Sequence, residues 1–171
     1  MKKALHYDNV ALVPRYSKLE TRKEANVKAN IKNFTFKLPV IPSNMRCVID
    51  DKKAKWLSEN DYMYVMHRFN IDNLEFVRIA NVQKWKNISI SVGVKEEDKN
   101  LIEKIKATGL RVDFITVDIA HGHSLLMFEM INHIREKLPN VIIIAGNVCT
   151  SGGFDDLVRW GAHAVKVGIG P

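Results

Sequence analysis

From residue 38 onward, short apolar β-branched runs alternate with longer amphipathic stretches, and this alternation restricts the chain more than any other feature. Leu38–Pro42, Tyr62–Met66, Ile88–Gly93, Phe114–Ile119, Val141–Gly146 and Ala164–Gly168 are expected strands, most of them apolar at nearly every position. Strands without a polar face need cover on both sides, as those of a parallel sheet have. Between them, Asp51–Asn60, Ile71–Val82, Glu96–Thr108, Leu125–Leu138 and Ser151–Trp160 carry apolar residues at helical spacing, with Leu126, Met130, Ile131 and Ile134 on one face. Gly109 and Pro139 are stop signals for the third and fourth helices, and Asp155 and Asp156 are placed in a first turn, where negative charge is favourable.

Repeated β-α units of this kind specify an α/β fold with a parallel sheet. A (β/α)8 TIM barrel needs eight strands and about 250 residues. The chain therefore reads as a single domain over residues 1–171, incomplete at its C-terminus, that supplies about six βα units (38–171) and ends on Gly168-Ile169-Gly170-Pro171. Residues 1–37 do not fit the alternation: Ala11-Leu12-Val13-Pro14 is a short apolar run and Ser17–Lys32 is polar and basic, so this segment is expected to be an arm packed outside the barrel. The competing architecture is a doubly wound six-stranded sheet, against which stands the lack of a Gly-x-Gly-x-x-Gly turn after the first strand.

Lys plus Arg exceed Asp plus Glu by 26 to 19, a net charge of +7 that suits anionic partners such as nucleotide phosphates. The lysines are scattered and not interleaved with aromatics along one helix face, so a nucleic-acid partner is not expected. No run approaches the roughly 20 apolar residues of a membrane span, and the basic N-terminus lacks the apolar stretch of a signal peptide. Cys47 and Cys149 lie about a hundred positions apart with no metal-ligand spacing, which predicts neither a disulfide framework nor structural zinc and favours a reduced, cytoplasmic setting.

Barrels of this type carry their chemistry on the loops after the strands. Asp118 ends the fourth strand, and a carboxylate there can accept hydrogen bonds from a ribose or a carboxamide. His121 and His123 follow it, as proton carriers, metal ligands or simply members of a tight turn. Asn147 beside Gly146 is either an amide presented to the barrel mouth or a turn residue. His67-Arg68 offers forked donors to a phosphate. Cys149 has no neighbouring base, and Cys47 has only Arg46 beside it. Two glycines in the terminal Gly168-Ile169-Gly170-Pro171 expose backbone groups able to hold an anion or a hard cation.

Lys166-Val167-Gly168-Ile169-Gly170-Pro171, Ala145-Gly146-Asn147-Val148 and Pro42-Ser43-Asn44-Met45 together resemble motifs of the IMP dehydrogenase/GMP reductase family. Asp118-Ile119-Ala120-His121-Gly122-His123-Ser124, Tyr64-Val65-Met66-His67-Arg68-Phe69 and Ile88-Ser89-Ile90-Ser91-Val92-Gly93-Val94-Lys95 are similar to its bacterial GMP reductase branch. Only Asn81–Asn87 separate the second helix from the third strand, where most of the dehydrogenases carry a large regulatory insertion.

The resemblance implies a cytoplasmic enzyme of purine salvage that reduces GMP to IMP with NADPH, releasing ammonia by way of a cysteine thioimidate. It implies cofactor contacts at Thr21, Arg22, Arg68, Asp118, Ile119, Ala120, Ile169 and Gly170, a substrate contact at Asn147, and a monovalent cation (K+) at Gly170. It also implies a homotetramer in which Thr21-Arg22 reach the cofactor of a neighbouring subunit. The nucleophile is expected beyond Pro171, and neither Cys47 nor Cys149 is placed to substitute, so the 171-residue chain alone is expected to be inactive. Arg46-Cys47 and Cys149-Thr150 depart from the family pattern. The alternatives are a non-catalytic nucleotide-binding or interaction module made from a truncated barrel, and an IMP dehydrogenase without its regulatory insertion.

Overall fold

The computed structural model describes residues 7–169. Its first strands are the antiparallel pair β1 (Ala29–Ile31) and β2 (Phe34–Phe36). After them come helices α1 (Asp51–Glu59) and α2 (Asn73–Val82), then strands β3 (Ser89–Val92), β4 (Phe114–Asp118), β5 (Ile142–Val148) and β6 (Ala164–Val167). Helices α3 (Glu96–Thr108), α4 (Leu125–Lys137) and α5 (Ser151–Trp160) connect these four strands, which pair in parallel in the order β3-β4-β5-β6. Four helices start on a side-chain cap: Asp50, Asp72, Ser124 and Thr150 each accept a backbone N–H of the first turn. Gly109 ends α3 in the left-handed conformation, with φ 67°.

Alternation along the strands divides the core in two. Ile90, Val92, Ile115, Val117, Ile143 and Ala145 share one cluster with side chains from all five helices, among them Ala54, Phe76, Ile102, Ile131 and Leu157. Phe114, Ile142 and Ile144 face the other way, onto Met63, Val65 and Phe36. A doubly wound sheet has helices on both faces. Helices on one face only, over strands in chain order, are the arrangement of a partial (β/α)8 barrel.

Several expectations need correction. Leu38–Pro42 forms no strand: Pro39 and Pro42 lack the N–H a ladder needs, and Val40 and Ile41 are exposed with no neighbour to pair with. Of Tyr62–Met66, Met63–Met66 are buried, but the segment pairs with β3 only through the Met66–Ile90 bridge. There the Tyr64 hydroxyl accepts from the Ser89 N–H at 3.3 Å and donates to the Asn87 carbonyl at 3.2 Å, replacing ladder bonds. In α4 the buried face is Met127, Met130, Ile131 and Ile134, while Leu126 is exposed. Asp155 and Asp156 lie beyond the first turn of α5, and Asp156 pairs with His123 and Arg159.

The N-terminal arm also differs from expectation. Its first part is exposed, but the β1-β2 hairpin enters the core: Phe36 is buried, and Ile31 and Phe34 pack beside it against the strand face without helices. The hairpin thereby closes the end of the sheet opposite the strand C-termini.

His163, just before β6, ties that strand to β5. Its Nδ1 accepts the Ile143 N–H at 2.9 Å, and the His163 backbone N–H donates to the Ile143 carbonyl at 2.8 Å. Desolvation of the ring, followed by the charges of Lys32 and Arg135, holds its pKa below the ordinary histidine value of 6.5. The unfolded chain therefore binds this proton more readily than the folded one. Stability present in full above about pH 6.5 is lost as pH falls through the depressed folded value. Urea midpoints are expected to drop between pH 7.5 and 5.5, and His163→Gln is expected to flatten that part of the profile.

Candidate active site

At the C-terminal ends of the strands lies a cleft of about 450 Å³, lined by Ser43, Asn44, Met45, Arg68, Phe69, Asp118, Ile119, Ala120, Asn147, Lys166 and Ile169. Six residues expected from the sequence to meet a nucleotide or its cofactor are thus brought together: Arg68, Asp118, Ile119, Ala120, Asn147 and Ile169. They come from four separate segments of the chain, Asp118 and Asn147 from the ends of β4 and β5 and the others from loops.

Strand periodicity explains two of the central groups. Asp118 is the last residue of β4 and shares a face with Phe114, while Lys166 in β6 shares a face with Ala164. Both side chains therefore emerge on the face without helices, at its open end. The Lys166 ammonium donates to Asp118 Oδ1 at 2.7 Å and to Asn44 Oδ1 at 3.2 Å. The Asn44 amide donates to Asp118 Oδ2 at 2.7 Å, closing a ring of three side chains.

The neighbouring loops are fixed by backbone. The Gly146–Asn147 peptide is cis, and the Asn147 side-chain amide donates to the Gly168 carbonyl at 2.8 Å. Ile119 N–H donates to the Gly146 carbonyl, Asn147 N–H to the Ile119 carbonyl and Gly122 N–H to the Asn147 carbonyl, at 2.8–3.0 Å. Arg68 lies over the Phe69 ring, 4.8 Å from its centroid, and pairs with no carboxylate among the described residues. An unpaired guanidinium, exposed apolar surface at Met45 and Ile169, and ring-held polar groups form a set suited to a nucleotide, with phosphate at the cation and a flat ring on the apolar wall.

Other expected residues lie elsewhere. Thr21 and Arg22 are exposed on the arm, where the Thr21 hydroxyl accepts from the Lys23 N–H to cap a 3-10 turn at Arg22–Glu24. Neither lines the cleft. Gly170 and Pro171, with the cation and part of the cofactor contact assigned to Gly170, lie outside the described residues. His121 is exposed, and His123 pairs with Asp156 at 2.8 Å beside the Trp160 ring, away from the cleft. Among the described residues no cluster of His, Cys, Asp or Glu could hold a metal ion, and Cys47 and Cys149 are exposed free thiols.

Sequence reasoning missed Lys166 and Asn44 as site residues. The signal for Lys166 is a single cation in the otherwise aliphatic Ala164-Val165-Lys166-Val167, on the face that carries the cleft. Asn44 stood out only within the Pro42-Ser43-Asn44-Met45 motif, and nothing local points to its partner 74 positions away.

Residues 4–171 match the IMP dehydrogenase / GMP reductase domain. A GMP reductase of Leptothrix cholodnii is 48% identical over 165 residues, covering 96% of this chain and 50% of that protein. One from Albidiferax ferrireducens is 46% identical over the same shares, and one from Staphylococcus epidermidis is 46% identical over 99% of this chain and 52% of its own length. The chain spans about half the length of the curated relatives it matches. With helices on one face of an in-order parallel sheet, polar groups gathered at the strand C-termini and the match across nearly every residue, the chain belongs to the IMP dehydrogenase/GMP reductase family.

Proposed function

We propose that this chain supplies the N-terminal arm (1–37) and the first βα units (38–171) of a single-barrel GMP reductase that converts GMP to IMP and ammonia with NADPH. The observation that carries this reading is the convergence of Arg68, Asp118, Ile119, Ala120, Asn147 and Ile169 on one cleft that also fits a nucleotide chemically. The GMP reductases it resembles support the choice of substrate.

In this reading Asp118, Ile119, Ala120 and Ile169 hold the nicotinamide end of the cofactor, Arg68 meets a phosphate, and Asn147 meets the purine nucleotide. The bound cofactor supplies hydride. Thiolate attack on purine C2, with loss of ammonia to leave a thioimidate, is assigned to a cysteine beyond Pro171. The share of the present residues is to bind and orient. A K+ ion is assigned to Gly170, and Thr21 and Arg22 to the cofactor of a neighbouring subunit in a cytoplasmic homotetramer. Among the described residues no helix is long and apolar enough to cross a membrane.

Equilibrium titration of the 171-residue chain with NADPH, NADH, NAD+, GMP and IMP tests the reading. Saturable binding of NADPH and GMP, with no NADPH oxidation when both are present, is expected. Binding of neither ligand would overturn the assignment, and GMP-dependent oxidation by this chain would refute the placement of the nucleophile. Preference for IMP with NAD+ would move the reading to a dehydrogenase without its insertion, and binding of GMP alone to a non-catalytic module.

A further inference from the structure

We infer that Lys166 is a positioning residue: its ammonium and the Asn44 amide hold the Asp118 carboxylate from both sides in the orientation that receives the cofactor. This inference rests on the nucleotide reading of the cleft.

An ionised carboxylate has about four lone-pair sites on its two oxygens and rotates freely unless tethered. In Asp118 each oxygen takes one bond within the protein, Oδ1 from Lys166 and Oδ2 from Asn44, both at 2.7 Å. The third bond, from Lys166 to Asn44 Oδ1 at 3.2 Å, fixes the two tethers to one another. The carboxylate plane is thereby set before any ligand arrives, with lone pairs left over for donors on the ligand. Pre-set acceptors of this kind need no reordering on binding.

The exposure of the pair separates this role from a purely structural one. The side chains of Lys166 and Asp118 are 33% and 25% exposed, at the wall of the cleft. When Lys166 is removed, Asp118 keeps its bond from Asn44 and its open side towards the cleft, so the carboxylate is not left stranded. Lys166→Met keeps most of the length and the apolar stem of the side chain while removing its donors. The melting temperature is therefore expected to stay near that of the wild type while ligand affinity falls.

The test is a double-mutant cycle on the whole chain, read by NADPH titration and thermal melting. Lys166→Met is expected to weaken NADPH binding about tenfold or more, the scale of a charge-assisted hydrogen bond. Lys166→Arg, which also presents paired donors to a carboxylate, is expected to stay within about threefold of wild type. In an Asp118→Ala background, Lys166→Met is expected to cost nothing further, because a residue that acts through Asp118 has nothing left to position.

Wild-type affinity in Lys166→Met would overturn the inference while leaving the cleft reading intact. Additive losses in the double variant would also overturn it, since they would mean that Lys166 touches the ligand directly. A wild-type chain that binds no NADPH would remove the cleft reading and this inference together. If Lys166→Met no longer melts cooperatively, Lys166→Arg decides: retained affinity supports positioning, and a loss of about tenfold refutes it.

Discussion

Phe114→Ala is expected to destabilise the protein by about 3–5 kcal/mol, the range for deleting a buried aromatic ring. Phe114 has no exposed surface and begins β4 on the face without helices. Its ring lies 4.8 Å from that of Phe34 and 5.9 Å from that of Phe36, so the cavity would open directly under the β1-β2 hairpin. A loss of this size is a large part of the 5–15 kcal/mol that holds a typical domain together. Denaturant titration should show the lower midpoint, and hydrogen exchange should show the loss of protection spreading through Ala29–Phe36. Equal protection of the hairpin in variant and wild type would mean that Phe114 does not anchor it.

Gly146→Ala is the second large effect, and it acts on the site. In the β5-β6 ladder Gly146 pairs with Lys166, and a Cβ at residue 146 would sit 2.5 Å from the Lys166 Cβ and 2.8 Å from its carbonyl oxygen. Those atoms belong to a paired strand and cannot swing aside like the tip of a flexible side chain. The strands must separate locally, at a cost of about 1–3 kcal/mol. That movement draws the Lys166 ammonium away from Asp118 and Asn44, so NADPH binding is expected to fall about tenfold or more, as in Lys166→Met. Gly152→Ala, in α5 with nothing within 4 Å of the added carbon, is the control and should leave binding unchanged. Wild-type affinity in Gly146→Ala would show that the ladder tolerates the extra atom.

The central strands and all five helices were legible because their pattern is local: β-branched runs flanked by capping residues and left-handed glycines specify themselves. What failed depended on partners distant in sequence. Leu38–Pro42 has the composition of a strand, but strand pairing is a property of two segments, and its two prolines leave few donors. The hairpin was hidden in a polar, basic arm because each of its strands has only three residues, although Ile31, Phe34 and Phe36 were visible as apolar positions.

The same distinction holds for the cleft. Arg68, Asp118, Asn147 and Ile169 were legible in loops after strands, since the fold sends all such loops to one side, whereas Ile119 and Ala120 were singled out only by the family resemblance. Lys166 was not, because a lysine within a strand acquires meaning only once its face is known. Thr21 and Arg22 were expected to act across a subunit boundary, and in this chain they are exposed and line no part of the cleft.

The Asn44–Asp118–Lys166 ring has a consequence for the order of assembly. Its members are separated by 74 and 48 positions, whereas each β-α-β unit of the sheet is built from neighbours in the chain. A chain that emerges N-terminus first can lay down β3, β4 and their helices from local contacts. The carboxylate of Asp118 receives its second tether only after β6 has been synthesised and docked. The β3-β4 scaffold therefore forms ahead of the cleft, and it is the docking of β6 that sets these binding groups in place.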